Sequence, residues 1–537
     1  MSEADAAFDT LAEEFFSVWF RYHPDVAAEA GVCGFERLLP AQSDDEVSAL
    51  GGWLESLVVA LEELDYAALD ATRRIDLQLM FSAARVEHQE LLEQDWRHRD
   101  PLRYLPVGEI FQLTLRQPED VRDALAGLLR QVPVYLRRAL AQLRAMAELI
   151  APESLVAAVD EAERGRCYLR ELAGSYWMRR HCHGWSEIEG LVDGACDAFI
   201  AYREALRGEI AGRARGPLGC GEDHMRFLLR HRHFMELNPK RVRVLLSDLL
   251  VSTEEELVGA CAGMGFTVDR AVAQVAADPV PGGRRLETYR QEGERLLGFL
   301  REAGLFHIPD VPLRISERPA CPRPLRFGAD YVPDREAGAG TFFLGVAEGE
   351  THSESLAEVR GRCLDKTWGG AHLLAFAAGD AGWRLPRRLC GGASLVGGWR
   401  LYLRERLEAL GYLESAHRLL ALLQRQWAIR RALLDLDLHL GLVAGADALV
   451  RLDGIPGADT LDLVRLARRP GDALAAVLGW QAMSRARDLL LRRDGEAFTE
   501  SSFHDCLLSQ GRIPVPLVLT SELGVDAWVE IRDGLGV

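Results

Sequence analysis

The sequence predicts a mainly α fold with one small β element. Three observations carry that expectation. Apolar residues recur at i, i+3, i+4 and i+7, with charges between them, over most of the chain. Strand-like composition clusters only between residues 307 and 347. No Gly/Ser linker, low-complexity tract or short repeat divides the 537 residues.

Taken in order, residues 4–20 (ADAAFDTLAEEFFSVWF), 45–95, 118–150 and 153–212 read as amphipathic helices. Pro133 marks a kink or break in the third stretch, because it lacks an amide N–H and crowds the preceding turn. RGPLGCGED at 215–223 interrupts the pattern as a glycine-rich turn, or as a strand that another backbone approaches closely. Helix resumes over 224–305, broken at ADPVPGGRR. Strands are expected from Ile308 onward and in GTFFLGVA, separated by Pro-rich turns such as PACPRP. Helix returns from 354 to 492. The division expected is an N-terminal helical lobe at 1–215, a middle helical segment with the β element at 216–353, and a C-terminal helical lobe at 354–537, intertwined as one unit.

Composition narrows the function. A formal net charge of −18 opposes a nucleic-acid partner, which needs a basic face. No apolar run reaches the roughly 18 residues of a membrane span. The N-terminus MSEADAAFDT is acidic and lacks the basic and apolar regions of a secretory signal, so a cytoplasmic protein is expected. Ten scattered cysteines without a Cys-x-x-Cys pair suit buried thiols better than a zinc cage or a disulfide frame. Of 63 lysine and arginine residues, lysine stands only at Lys240 and Lys366. A lysine is thus a departure from this chain's habit, and one of the two lies in LDKTWGGAHLL at 364–374.

That stretch belongs to an ordered series of motifs: RYHPDVAAEAGV, RLLPAQS, RRIDLQLM, DPLRYL, GPLGCGEDHMRFLLR, AGTFFLGV, GGWRLYLRERLEALGY, QRQWAIRRALLDLDLH, RRPGDALAAVLG and SFHDCLLSQGRIPVPLVL. In order and spacing the series resembles, over nearly the whole chain, the helical zinc-peptidase-like family catalogued as Domain of Unknown Function 885. The resemblance implies a thimet-oligopeptidase-like fold, a large helical bundle enclosing a deep channel with the small β element near the site. Typical members carry a His-Glu-x-x-Pro-Gly-His turn and a later Glu-Gly-Trp-x-Leu-Tyr helix. Their two histidines and second glutamate hold zinc, and the first glutamate is the general base. Laid on that pattern, the first ligand becomes Asp365, the base Lys366, the second ligand Ala371 and the helix glutamate Gly397. A catalytic zinc site needs three protein donors, so the resemblance implies a degenerate site, with no metal or other cofactor expected.

Candidate catalytic residues are Lys366, Asp365, His439 and Asp435. An ammonium at Lys366 could take over the metal's role toward a carboxylate or an oxyanion, or serve as a base if desolvated. Asp435 and His439 lie four apart on one helix face, where the carboxylate could orient the imidazole. Candidate substrate-binding residues are His372, Tyr402, Trp399 and Arg469, the last suited to bidentate carboxylate binding. His504 reads as structural. His181-Cys182-His183 and the His224, His231 and His233 group carry metal-donor chemistry without a usual ligand spacing. Ser353, between His352 and Glu354, lacks the glycines of a nucleophile elbow.

The function expected is a metal-independent enzyme on a peptidase-like scaffold. It would act on a peptide-like or amino-acid-derived substrate in a specialised bacterial biosynthetic pathway, by cyclisation, elimination, isomerisation or amide exchange. Two alternatives stand beside it. One is a non-catalytic pseudopeptidase that binds a peptide or a partner enzyme. The other is a residual metallopeptidase with differently placed donors.

Overall fold

The computed structural model describes residues 2–116, 118, 120–182, 187–317, 331–345 and 354–535. Helices take 73% of the chain, and the only strands described form one three-stranded sheet. The fold is mainly α, as the periodicity predicts.

The helices begin where the sequence supplies caps. Ser2, Ser43 and Ser355 each cap a helix, and each in turn donates its own backbone N–H to the acid three residues on, at Asp5, Glu46 and Glu358. The long helical stretches of the sequence are divided further. Residues 45–95 become Asp44–Glu62 and Ala71–Glu93, parted by LDYAALD. Residues 153–212 contain Pro152–Ala173, Tyr176–His181 and Ile188–Ala205, ending in one π-helical turn at Leu206–Ile210. Pro133 does not break its helix, which runs from Val121 to Ala145.

The sheet comprises β1 (Leu313–Glu317), β2 (Tyr331–Asp334) and β3 (Ala339–Leu344) in the order β1-β3-β2. β1 runs parallel and β2 antiparallel to β3, and Phe342 lies opposite both Ile315 and Tyr331. Alternation along β3 buries Gly340, Phe342 and Leu344. That face packs on Tyr289, Val359, Cys363 and Phe376, so the sheet rests against the helices Arg285–Ala303, Leu356–Lys366 and Ala371–Phe376.

Two large cores hold most of the remaining buried apolar side chains. One is built mainly from residues 102–210 and the other mainly from residues 225–535. They are tied together by exchange. Leu461 and Val464 of the helix Thr460–Ala467 pack into the N-terminal core, and Ile75 and Leu79 pack into the C-terminal one. Chain segments distant in sequence therefore meet along a seam, where a cavity opens that is lined by segments from residue 25 to residue 512.

All nine cysteines among the described residues are free thiols. No described helix is long and apolar enough to cross a membrane.

Candidate functional site: a cationic cavity at the turn after Lys366

The helix Leu356–Lys366 ends in a turn, Thr367 to Gly370, and the short helix Ala371–Phe376 follows. The turn is fixed from both sides. Thr367 Oγ1 donates to the Cys363 carbonyl at 2.6 Å, and the Trp399 indole N–H donates to the Gly369 carbonyl at 2.9 Å. Trp399 is fully buried, as is Tyr402, whose hydroxyl is 2.8 Å from His504 Nε2. Both side chains therefore hold the wall behind the turn.

Zinc can be tested residue by residue against this geometry. Asp365 turns away to accept a bond from Arg404 Nη2 at 2.5 Å. Ala371 offers no donor atom. At Gly397 there is no room for a side chain, since a Cβ would lie 2.4 Å from the Cβ of Ala476 on the helix Asp472–Asp494. The neighbouring Gly398 is as tight, 2.6 Å from the Trp480 amide nitrogen. Among the described residues no three His, Cys, Asp or Glu side chains are grouped so as to hold a metal. The residues present do not fit zinc.

Lys366, Ala371 and Ala375 instead face a cavity of 760 Å³ along the seam. Its wall also includes Tyr331 of β2, Arg103, Arg116, Arg388, Arg465, Arg468, Arg469 and Arg512, with Asp25 and Glu109 the only acids among the described residues. Seven arginines and one lysine against two carboxylates make it strongly cationic within a chain of net charge −18. Some of this charge is tempered. Arg468 pairs with Asp100 at 2.8 Å, and Arg103 lies over the Trp96 ring at 4.6 Å. Arg388 donates to the Ala30 carbonyl and lies over the Trp383 ring at 5.0 Å. Burial and the neighbouring Arg512, Arg116 and Arg335 pull its pKa down to about 10, so it stays charged at neutral pH. Burial lowers Arg512 as well. Neither Arg388 nor Arg512 meets a carboxylate among the described residues.

His372 lies directly behind this wall. It is fully buried, with Nε2 3.0 Å from the Val311 carbonyl and Nδ1 2.8 Å from the Tyr331 hydroxyl. The network assigns the proton to Nε2, so Nδ1 accepts from Tyr331. Burial depresses His372 to about 4 and keeps it neutral. Gly340 makes the contact possible, because a Cβ there would lie 2.2 Å from the Tyr331 hydroxyl oxygen. His372 thus orients Tyr331, whose hydroxyl oxygen keeps an accepting lone pair.

Asp435 and His439 are brought together, but in the core and away from the cavity wall. Asp435 accepts the backbone N–H groups of Gly471 and Leu474, each at 3.0 Å, and so caps the helix Asp472–Asp494. His439 Nδ1 accepts from the Cys220 amide at 3.1 Å, and its Nε2 stands 3.5 Å from Asp435. Burial drives His439 down to about 3 and Asp435 up to about 7, which opposes an ion pair between them. The glycine-rich turn belongs to the same joint, since a Cβ on Gly219 would lie 2.2 Å from the Leu438 carbonyl oxygen.

The four candidate catalytic residues therefore part company. Lys366 faces the cavity, Asp365 turns to Arg404, and Asp435 with His439 forms a joint. Of the candidate binding residues, Arg469 lines the cavity, His372 stands behind it, and Trp399 and Tyr402 are buried supports. Tyr331, Arg388 and Arg512 were not singled out by sequence. Among so many arginines none stands out, and only the run RLARRP at 465–470 hints at a local concentration. His183, His352 and Ser353 lie outside the described residues. Glu354 is buried and paired with Arg285 at 2.6 Å and Arg362 at 2.8 Å.

A family model described as a bacterial protein of unknown function, DUF885, matches residues 24–521. The chain belongs to that family. Its fold is similar to a solved structure called a "putative lipoprotein" from Colwellia psychrerythraea, with TM-score 0.79 and 15% identity over 99% of this chain and 100% of the other. It is also similar to a "putative lipoprotein of unknown function" from Shewanella oneidensis, with TM-score 0.74 and 15% identity over 96% of this chain and 99% of the other. At that identity the likeness concerns the fold alone. No curated protein matches the chain.

Proposed function

We propose that this member of the family is a metal-independent enzyme that binds a carboxylate-bearing, peptide-like or amino-acid-derived substrate in the seam cavity. One observation carries the reading: Lys366, where the family places its general base, lines a cavity walled by seven arginines. Guanidinium forks bind carboxylates bidentately. Oriented cations in a partly dry cleft favour the anionic character that develops at a carbonyl or an α-carbon during reaction. Lys366 is the group placed to stabilise that charge or to exchange a proton with it. Tyr331, held by His372, offers an acceptor to a substrate N–H.

The experiment is a comparison of Lys366→Met with the wild type. Binding of anionic peptides is measured by calorimetry, and turnover by mass spectrometry of a mixed acidic-peptide pool. The enzyme reading expects binding to fall no more than about tenfold, the worth of one charge-assisted contact, while turnover disappears. A wild type that binds the pool without altering any component overturns the enzyme reading. That outcome favours the binding protein, which draws support from the seclusion of Asp435 and His439 in the core.

A further inference from the structure

We infer that the ligand of the seam cavity carries at least two separate anionic groups, one taken by Arg388 with Arg512 and the other by Arg469 with Arg468. The inference rests on the proposed reading of the cavity and specifies its substrate class as a dicarboxylic or more acidic peptide, or a small molecule of like charge.

Three features of the wall support two sites. First, the arginines come from independent elements. Arg388 lies on the short helix Leu385–Leu389 and Arg512 on a distant loop, whereas Arg468 and Arg469 follow the end of the helix Thr460–Ala467. Second, Arg388, Arg512 and Arg469 lack carboxylate partners among the described residues, although the first two are partly buried. Guanidiniums so placed repel one another until an anion is added, and burial and like charge press on Arg388 in that sense. Its stacking over Trp383 and its bond to the Ala30 carbonyl hold it in one orientation, so little ordering is needed on binding. Third, the cavity exceeds what one carboxylate would fill. Its 760 Å³ lies within the size of sites for whole small-molecule ligands.

The test is calorimetric titration of the full chain with defined probes at low salt. Glu-Glu-Glu supplies several carboxylates, and N-acetyl-Gln-Gln-Gln supplies only its terminal one. Citrate and pyrophosphate supply multiple charges without a peptide. The expected result is that Glu-Glu-Glu binds at least about a hundredfold tighter than the single-carboxylate peptide. Arg388→Met and Arg469→Met should each weaken it about tenfold, multiplicatively in the double variant. Arg388→Lys, which keeps the charge and loses the fork, should fall between and guards against a folding defect. Tighter binding of citrate or pyrophosphate also supports two anionic groups and assigns them to a non-peptide source. If the single-carboxylate peptide binds within about threefold of Glu-Glu-Glu, the inference falls while the anion-binding reading stands. If none of the probes binds, the reading itself fails.

Discussion

At single residues, the departures from the family pattern have unequal physical meaning. Ala371 offers no donor atom, whereas Gly397 offers neither a donor nor the space for one. A Cβ at position 397 would press within 2.4 Å of Ala476, on a helix that lies equally close to Gly398. Gly397→Glu, the residue the resemblance implies for a zinc-binding member, is therefore expected to destabilise the protein by about 3 kcal/mol through overpacking. Elemental analysis of the purified variant should find no stoichiometric zinc. A stable, zinc-loaded Gly397→Glu protein would contradict this account of the packing. The same scale explains what sequence could show about the site. Lys366 was legible because lysine is rare in the chain. Tyr331 was not legible, since its role depends on a hydrogen bond to His372 across 41 residues and on the missing side chain of Gly340.

Among the elements, the helices were readable because burial on one face writes a 3.6-residue period into the chain. The β region was equally clear from its composition, and β3 follows the GTFFL run. Helix divisions such as LDYAALD were less visible, because one loop of ordinary residues barely disturbs the period. Of the kink or break expected at Pro133, the break does not occur, as the helix Val121–Ala145 runs through it. The Asp435 and His439 spacing was real, yet spacing cannot tell which way a helix face points. Here it points to the start of the helix Asp472–Asp494. Asp435→Ala is expected to cost about 3 kcal/mol, as two buried N–H groups lose their acceptor. Affinity for Glu-Glu-Glu should stay within about twofold. Urea unfolding and calorimetry check both halves, and a stable variant that no longer binds would return Asp435 to the site.

Over the whole molecule, buried histidines set the response to acid. His372 and His504 are held near 4, and His417 and His439 near 3, mainly by burial. Below about pH 6.5 the unfolded chain takes up protons at these groups and the folded chain does not, so stability falls with pH. Asp435, raised to about 7, acts in the opposite direction and offsets one of the four. Unfolding free energies from urea titrations at pH 6.5 and 4.5 should differ by about 3 kcal/mol per pH unit, with the lower pH less stable. A constant midpoint would contradict neutral burial of these rings.

The cavity also belongs to this scale, since it is assembled from segments between residues 25 and 512 that only the folded chain brings together. For that reason its charge was invisible in a chain whose sum is −18. The most direct measurement exploits the scarcity of lysine. Amine labelling read by mass spectrometry reports Lys366 and the exposed Lys240 separately in one experiment. If acidic ligands fill the cavity beside Lys366, Glu-Glu-Glu should slow labelling there in a saturable way and leave Lys240 unchanged. Equal labelling of Lys366 with and without the peptide, at concentrations where calorimetry registers binding, would place the anion site elsewhere and contradict the central claim.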